Sequence, residues 1–325
     1  MTDTAYRAAY EGAALYDEGG YGRIRMRGAS AADLLHRLST NDIVHLGMGQ
    51  GLRTVLTTPI GRIIDLLTVY RLEDALVLIT GPGQGGPVYS HLRKNIFFND
   101  KVTLEPMGQS HAQLALYGPG AAPLLEQLAG APLPDLALHA SAELVLAGAP
   151  TLVARALPLG GAGFRLVVPA EHAAALRDAL AAGGAAALDE ATFDLLRVEH
   201  GYAAVGHELG QEYIPLETGL TDAVSFRKGC YVGQEIIARM ESRGRMAKRL
   251  CGLRLSSADV GGLATPAKLD VGGKEAGDLT SVVVSPRLGP VALAYVRTAH
   301  AEQGAQVGIA GSSLTAEVVE LPFEA

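Results

Sequence analysis

From Lys248 to its end the chain is written in short apolar runs separated by polar turns: LCGLRLS, KLDVGGKEAG, LTSVVVSP, PVALAYVR and SLTAEVVELP. Runs of that length suit strands, and several in succession leave room for little but a sandwich or a barrel. The Gly272-Gly273 pair adds a two-residue hairpin signal. An all-β unit, a small barrel, is therefore expected over residues 246–325.

The preceding residues alternate strand and helix signals. IIDLLTVY (63–70) and ALVLIT (75–80), joined by Arg-Leu-Glu-Asp, predict a β-hairpin. Ser30 with Asp33 has the form of a capping box ahead of a helix through Leu34, Leu35 and Leu38. TLVARALPLGGAGFRLVVP predicts two strands around a glycine turn, and EHAAALRDALAAGG a helix capped by Gly183. Strands paired in hairpins and interspersed with helices indicate α+β rather than a doubly wound sheet. A chain of 325 residues exceeds one ordinary core. The expected division is 1–110, 111–245 and 246–325.

The formal net charge of −7 counts against nucleic acid as the main ligand. Two cysteines, Cys230 and Cys251, cannot make a disulfide framework and suit a reducing compartment. The N-terminal MTDTAYRAAYEG is polar, and no run reaches the ~20 apolar residues of a membrane span. A soluble cytoplasmic protein without membrane contact is expected.

Several chemistries lack their patterns. The loop Gly81–Pro87 has no G-x-x-x-x-G-K-[ST], and Pro82 and Pro87 remove amide donors, so a connector is favoured over a phosphate cradle. His200 and His207 have neither zinc spacing nor a cysteine partner. No Gly-x-Ser-x-Gly elbow occurs.

Four features carry more. Asp65 interrupts a strand that is otherwise apolar on both faces, so its carboxylate must be paired, hydrogen-bonded or turned to a cavity. Glu199 in LRVEHG follows an apolar helix; it either forms a salt bridge with a base such as Arg197 or accepts two parallel hydrogen bonds from an amidine-like ring edge. Cys230 stands in FRKGCYVGQEIIAR between glycines, with Arg227 and Lys228 beside it, surroundings that favour thiolate; the alternative is a small residue filling a turn. The run Ala238–Arg249 holds Arg239, Arg243, Arg245, Lys248 and Arg249, either a solvated loop or an anion-binding edge for a carboxylate tail or RNA.

KGCYVGQE (228–235) resembles the signature of YgfZ-type folate-binding proteins, within the superfamily of the glycine-cleavage T-protein, the tetrahydrofolate-dependent aminomethyltransferase. STNDI (39–43), PIGRIIDLLTVYR (59–71), RVEHG (197–201) and SPRLGPVALAYVR (285–297) resemble other superfamily segments in the same order. The resemblance implies a three-domain clover-leaf α+β fold with the first two domains interlaced, a C-terminal β-barrel and a central funnel for tetrahydrofolate or a derivative. It implies Glu199 at the pterin edge, Asp65 beside the pterin and p-aminobenzoyl part, and Arg227 or Arg239 at the glutamate tail. Lys228, Tyr231 and Gln234 would be further cofactor contacts, with Cys230 and Asp65 as candidate catalytic groups. Where the T-protein carries an Asp-Asp pair this chain has Asp65-Leu66, and LPLGGAGF replaces its Tyr-Thr-Gly-Glu segment, both against glycine-cleavage activity. The implied role is a folate-binding accessory protein supporting iron–sulfur enzymes, tRNA-modifying ones among them. The alternative is a folate-dependent aminomethyltransferase or demethylase.

Overall fold

The computed structural model describes residues 3–244, 246–260 and 262–323. The chain gathers into two compact units, residues 1–56, 65–193 and 227–231 in the first and residues 57–64, 194–226 and 232–325 in the second. In chain order the elements up to the middle of the sequence are α1 (Asp3–Glu11), β1 (Ala13–Asp17), β2 (Tyr21–Arg27), α2 (Ala31–Leu38), β3 (Gly51–Thr57), β4 (Ile63–Arg71), β5 (Ala75–Pro82), α3 (Gly85–Lys94), β6 (Thr103–Pro106), β7 (His111–Tyr117), α4 (Ala121–Ala129), β8 (Ser141–Leu146), β9 (Ala149–Leu159) and β10 (Gly161–Pro169). There follow α5 (Ala173–Ala182), β11 (Ala185–Ala187), α6 (Glu190–Glu199), α7 (Gln234–Arg243), β12 (Lys248–Leu255), β13 (Ala267–Val271), β14 (Lys274–Ser285), β15 (Gly289–Arg297), β16 (Gln306–Ile309) and β17 (Thr315–Val319).

The first unit is built on two sheets, ordered β11-β1-β7-β10-β9-β8 and β3-β4-β5-β2-β6. The predicted hairpin is present as β4 against β5, antiparallel with Thr68 opposite Ile79. Burial along β4 alternates: Ile63, Asp65, Leu67 and Val69 are buried while Ile64, Leu66 and Thr68 are half-buried. Over residues 63–69 the buried positions share one face, Asp65 among them, while Tyr70 is buried on the other. Helices α4 and α5 pack Leu124, Leu125, Leu176 and Leu180 against one face of the first sheet. Tyr70, Val77 and Ile79 of the second sheet pack with Leu152, Ala154 and Val167 of the first. A buried polar cluster joins this layer: Arg165 Nε and Nη2 donate to Glu18 Oε2 and Oε1 at 2.7 and 3.0 Å, Arg165 Nη1 to Tyr70 Oη at 3.1 Å, and Gln113 Nε2 to Glu18 Oε2 at 2.6 Å. Bidentate pairing of this kind is what lets a guanidinium and a carboxylate remain buried together.

Helix α2 buries Ala31, Leu34, Leu35 and Leu38, the i, i+3, i+4, i+7 stripe of an amphipathic helix. It begins where the capping box places it, yet the box does not form: Ser30 Oγ accepts from Lys101 N at 3.1 Å and makes no cap hydrogen bond. A partner from the segment just ahead of β6 takes the place of the helix N–H.

In the second unit, β12-β15-β14-β13-β16-β17 close into a six-stranded antiparallel barrel. Its interior is filled by Leu253, Leu269, Leu279, Leu293, Val307 and Val318 and their neighbours. The β13–β14 turn places both Gly272 and Gly273 at positive φ, 59° and 75°, as a type I′ hairpin requires. No helix among the described residues is long and apolar enough to cross a membrane.

Candidate functional site

Asp65 is fully buried. Its Oδ2 accepts from Gly81 N at 3.0 Å, across the hairpin, and its Oδ1 from Leu66 N at 3.0 Å. Burial disfavours the charged carboxylate more than these two donors favour it, so its pKa is pushed up to about 7. Near neutral pH this group is poised between acid and base. Of the outcomes open from sequence, Asp65 is hydrogen-bonded, and to backbone rather than to a cation. The Gly81–Pro87 stretch uses its own amides inside the protein: Gly81 N on Asp65, Gly83 N on Gly20 O at 2.9 Å and Gln84 N on Gly81 O at 3.1 Å. A connector, not a phosphate cradle, is what these bonds describe.

The segment 227–231 belongs to the first unit although its flanks belong to the second. Lys228 fixes it. Its Nζ donates to Ser39 O at 2.7 Å, Asn41 O at 2.9 Å and His36 O, at and just beyond the C-terminal end of α2, where the helix dipole also favours a cation. The ammonium stands 4.9 Å from the Tyr231 ring centroid. Burial pulls the Lys228 pKa down to about 8 and pushes that of the buried Tyr231 up to about 12. The Lys228 ammonium hydrogen-bonds three backbone carbonyls. Arg227 and Cys230 are exposed. Gly229 is not conformationally required, since a Cβ there meets nothing within 4 Å. Gly233 is: it has φ +84°, and a Cβ would lie 2.8 Å from Thr58 O and 2.9 Å from Gly61 Cα.

Glu199, Gln234 and Arg239 lie in the second unit. Glu199 is buried at the end of α6, and its Oε1 accepts from Ser285 Oγ, which itself accepts from Arg287 N and Leu288 N. Arg197 does not take the Glu199 carboxylate. It donates instead to Asp194 Oδ1 at 2.6 Å, Glu208 Oε2 at 2.8 Å and Ser281 Oγ at 2.7 Å. Gln234 opens α7 half-buried, and Arg239 is exposed on the same helix.

Glu208 gave no signal in the sequence, yet it is fully buried and accepts from Arg197, Thr280, Ser281 and the amide of Ala204. Tyr213 and Tyr295 also went unnoticed. Their rings stack with centroids 3.5 Å apart, and Lys248 Nζ lies 4.3 Å from the first and 5.4 Å from the second. Within the basic run, Lys248 is therefore held over aromatic faces, and Arg249 is paired twice with Glu320, at 2.8 and 2.6 Å. Arg245 and the side chain of Arg243 lie outside the described residues. Cys251 is buried in β12, and burial pushes its thiol up to about 11, in keeping with a packing role.

The chain matches the GCVT N-terminal domain over residues 2–228 and the glycine cleavage T-protein C-terminal barrel domain over residues 248–324. It is 34% identical over 336 residues to an aminomethyltransferase of Symbiobacterium thermophilum, covering 98% of this chain and 88% of that one. An aminomethyltransferase of Streptomyces coelicolor is 33% identical over 322 residues, covering 96% and 86%. The crystal structure of the glycine cleavage system aminomethyltransferase T from Bartonella henselae superposes with a TM-score of 0.88 at 25% identity, covering 98% of this chain and 88% of that one.

Proposed function

Since the chain belongs to the glycine-cleavage T-protein family, we propose that it is a folate-dependent aminomethyltransferase, moving a one-carbon unit at the formaldehyde level from an aminomethyl donor to tetrahydrofolate, with ammonia and the protonated donor as the leaving groups. Bound tetrahydrofolate supplies the nucleophilic nitrogens that receive the carbon. The observation that carries the reading is Asp65: a fully buried carboxyl with a pKa of about 7, fixed by two backbone amides. Such a group can hold a proton at the reacting centre or accept one from it, which general acid–base catalysis at neutral pH asks for. Leu66 fills the place of the second family carboxylate and is half-buried on the opposite side of β4. Asp65 therefore has no adjacent acidic understudy. Glu199 is assigned to the pterin edge, and Arg227, Lys228, Tyr231, Gln234 and Arg239 remain further candidate contacts.

The test is turnover. Purified protein with tetrahydrofolate and an aminomethylated dihydrolipoyl carrier, or another aminomethyl donor, is expected to form methylene-tetrahydrofolate. Asp65→Asn should slow formation by about 10²–10⁴-fold. Absence of product from every donor, with folate binding intact, removes the transferase reading.

One observation favours a second reading, the folate-binding accessory protein of iron–sulfur enzymes. Cys230 is an exposed thiol on a segment anchored by Lys228. Its test is cellular. Normal activity of iron–sulfur enzymes, tRNA-modifying ones included, in cells carrying only Cys230→Ala would discard it.

A further inference from the structure

The first unit carries a cleft of about 400 Å³ that the reading above does not use. It opens beside α4, between the segment leading from α4 to β8 and the strands β9 and β10. Leu133, Leu136 and Phe164 supply apolar wall, and Arg155 and Asp135 supply one charge of each sign. The guanidinium of Arg155 lies 4.8 Å from the Phe164 ring centroid, a cation–π stack that holds it in place while leaving its N–H edge available. Among the described residues neither Arg155 nor Asp135 makes a side-chain hydrogen bond or an ion pair, with each other or with anything else. The wall is fixed by its backbone amides: Leu133 N donates to the Glu126 carboxylate (Oε1) at 3.1 Å, His139 N to Arg155 O at 2.9 Å and Arg155 N to Ala140 O at 2.8 Å.

We propose that this cleft binds a free α-amino acid with an apolar side chain. Each part of the cleft has a counterpart in such a molecule. A stacked guanidinium presents paired donors to a carboxylate, and a lone carboxylate accepts from an ammonium. Two opposite protein charges that do not pair with each other are complementary to a ligand that carries both. A simple carboxylic acid would meet Arg155 and be repelled by Asp135; a simple amine would meet the reverse. The Leu133, Leu136 and Phe164 surfaces then receive the side chain. The volume lies at the lower end of the range for small-molecule sites, which suits a ligand of amino-acid size.

Calorimetric or ligand-observed NMR titration of the full chain tests this, with L-leucine, L-phenylalanine, 3-phenylpropanoate and phenethylamine as probes. Saturable binding of at least one of the two amino acids is expected, with the two single-charge analogues weaker than L-phenylalanine by roughly tenfold or more. Arg155→Met keeps the stem on Phe164 and removes the charge; it should weaken amino-acid binding about ten- to hundredfold. Asp135→Asn should reverse the order, so that 3-phenylpropanoate binds at least as well as L-phenylalanine. Failure of both amino acids to bind, or equal binding to Arg155→Met, overturns the proposal. Asp135 is exposed, so its variant should fold even if Arg155→Met does not. In that event an unchanged ratio of L-phenylalanine to 3-phenylpropanoate in Asp135→Asn overturns it alone. No arm involves folate, so neither failure bears on the transferase reading.

Discussion

Replacing Asp65 by Asn should change how stability depends on pH as well as its value. The native carboxyl has its pKa raised from 3.8 to about 7 by burial. Such a group contributes stability that is fully present below the unfolded value and lost as pH rises through the folded one. At about 1.4 kcal/mol per factor of ten in proton affinity, the whole displacement is worth roughly 4 kcal/mol. Partition of the proton between folded and unfolded chains puts about 2–3 kcal/mol of that between pH 5 and pH 8. Asparagine does not titrate, so the Asn variant lacks this loss. It carries a fixed penalty instead, because Leu66 N and Gly81 N both need an acceptor and the amide offers one oxygen; that costs about 1–3 kcal/mol. The variant should therefore be less stable than wild type at pH 5, and the gap should close or invert by pH 8. Urea unfolding of both proteins at half-unit steps across that range measures it. Parallel stability curves would refute the reasoning, as would an Asp65 carboxyl resonance titrating near pH 4.

In the native protein a thiol reagent should modify Cys230 rapidly and Cys251 only after denaturation, read by mass spectrometry of the two peptides. Gly233→Ala should destabilise by at least about 1–3 kcal/mol, since it adds both a positive-φ strain and a backbone clash, whereas Gly229→Ala should stay within about 0.5 kcal/mol of wild type by chemical denaturation. Glu208→Ala leaves Arg197 with Asp194 as its one remaining carboxylate and should cost about 3–5 kcal/mol in the same assay, with Thr280→Ala costing less because it removes one donor and no charge.

What could be read from the chain beforehand was what depends on near neighbours. The barrel strands and the Gly272-Gly273 turn follow from local alternation and local φ demand. Asp65 stood out because a carboxylate inside IIDLLTVY contradicts its surroundings. The misreadings share a cause in distance. Ser30 looked like a helix cap, but its hydroxyl partner is the amide of Lys101, 71 residues away. That Lys228 ties its segment to carbonyls 187–192 residues back was not legible, because backbone carbonyls leave no mark in a sequence. Glu208 sits in GHELG, which has no pattern of its own; its hydroxyl partners, Thr280 and Ser281, arrive from a barrel strand. Arg197 and Glu199 are only two positions apart on one helix and do not face each other, so the arginine pairs with Glu208 instead.

The way the two units share the polypeptide has a practical result. The first draws on residues up to 231 and the second on residues from 57 onward, and each returns after the other has intervened. Consequently no single scission divides this protein into two whole halves; wherever the backbone is cut, at least one half is left short of a piece. Terminal truncation is thus closed as a route to either unit whole, although the barrel strands β12 to β17 do lie in one continuous stretch.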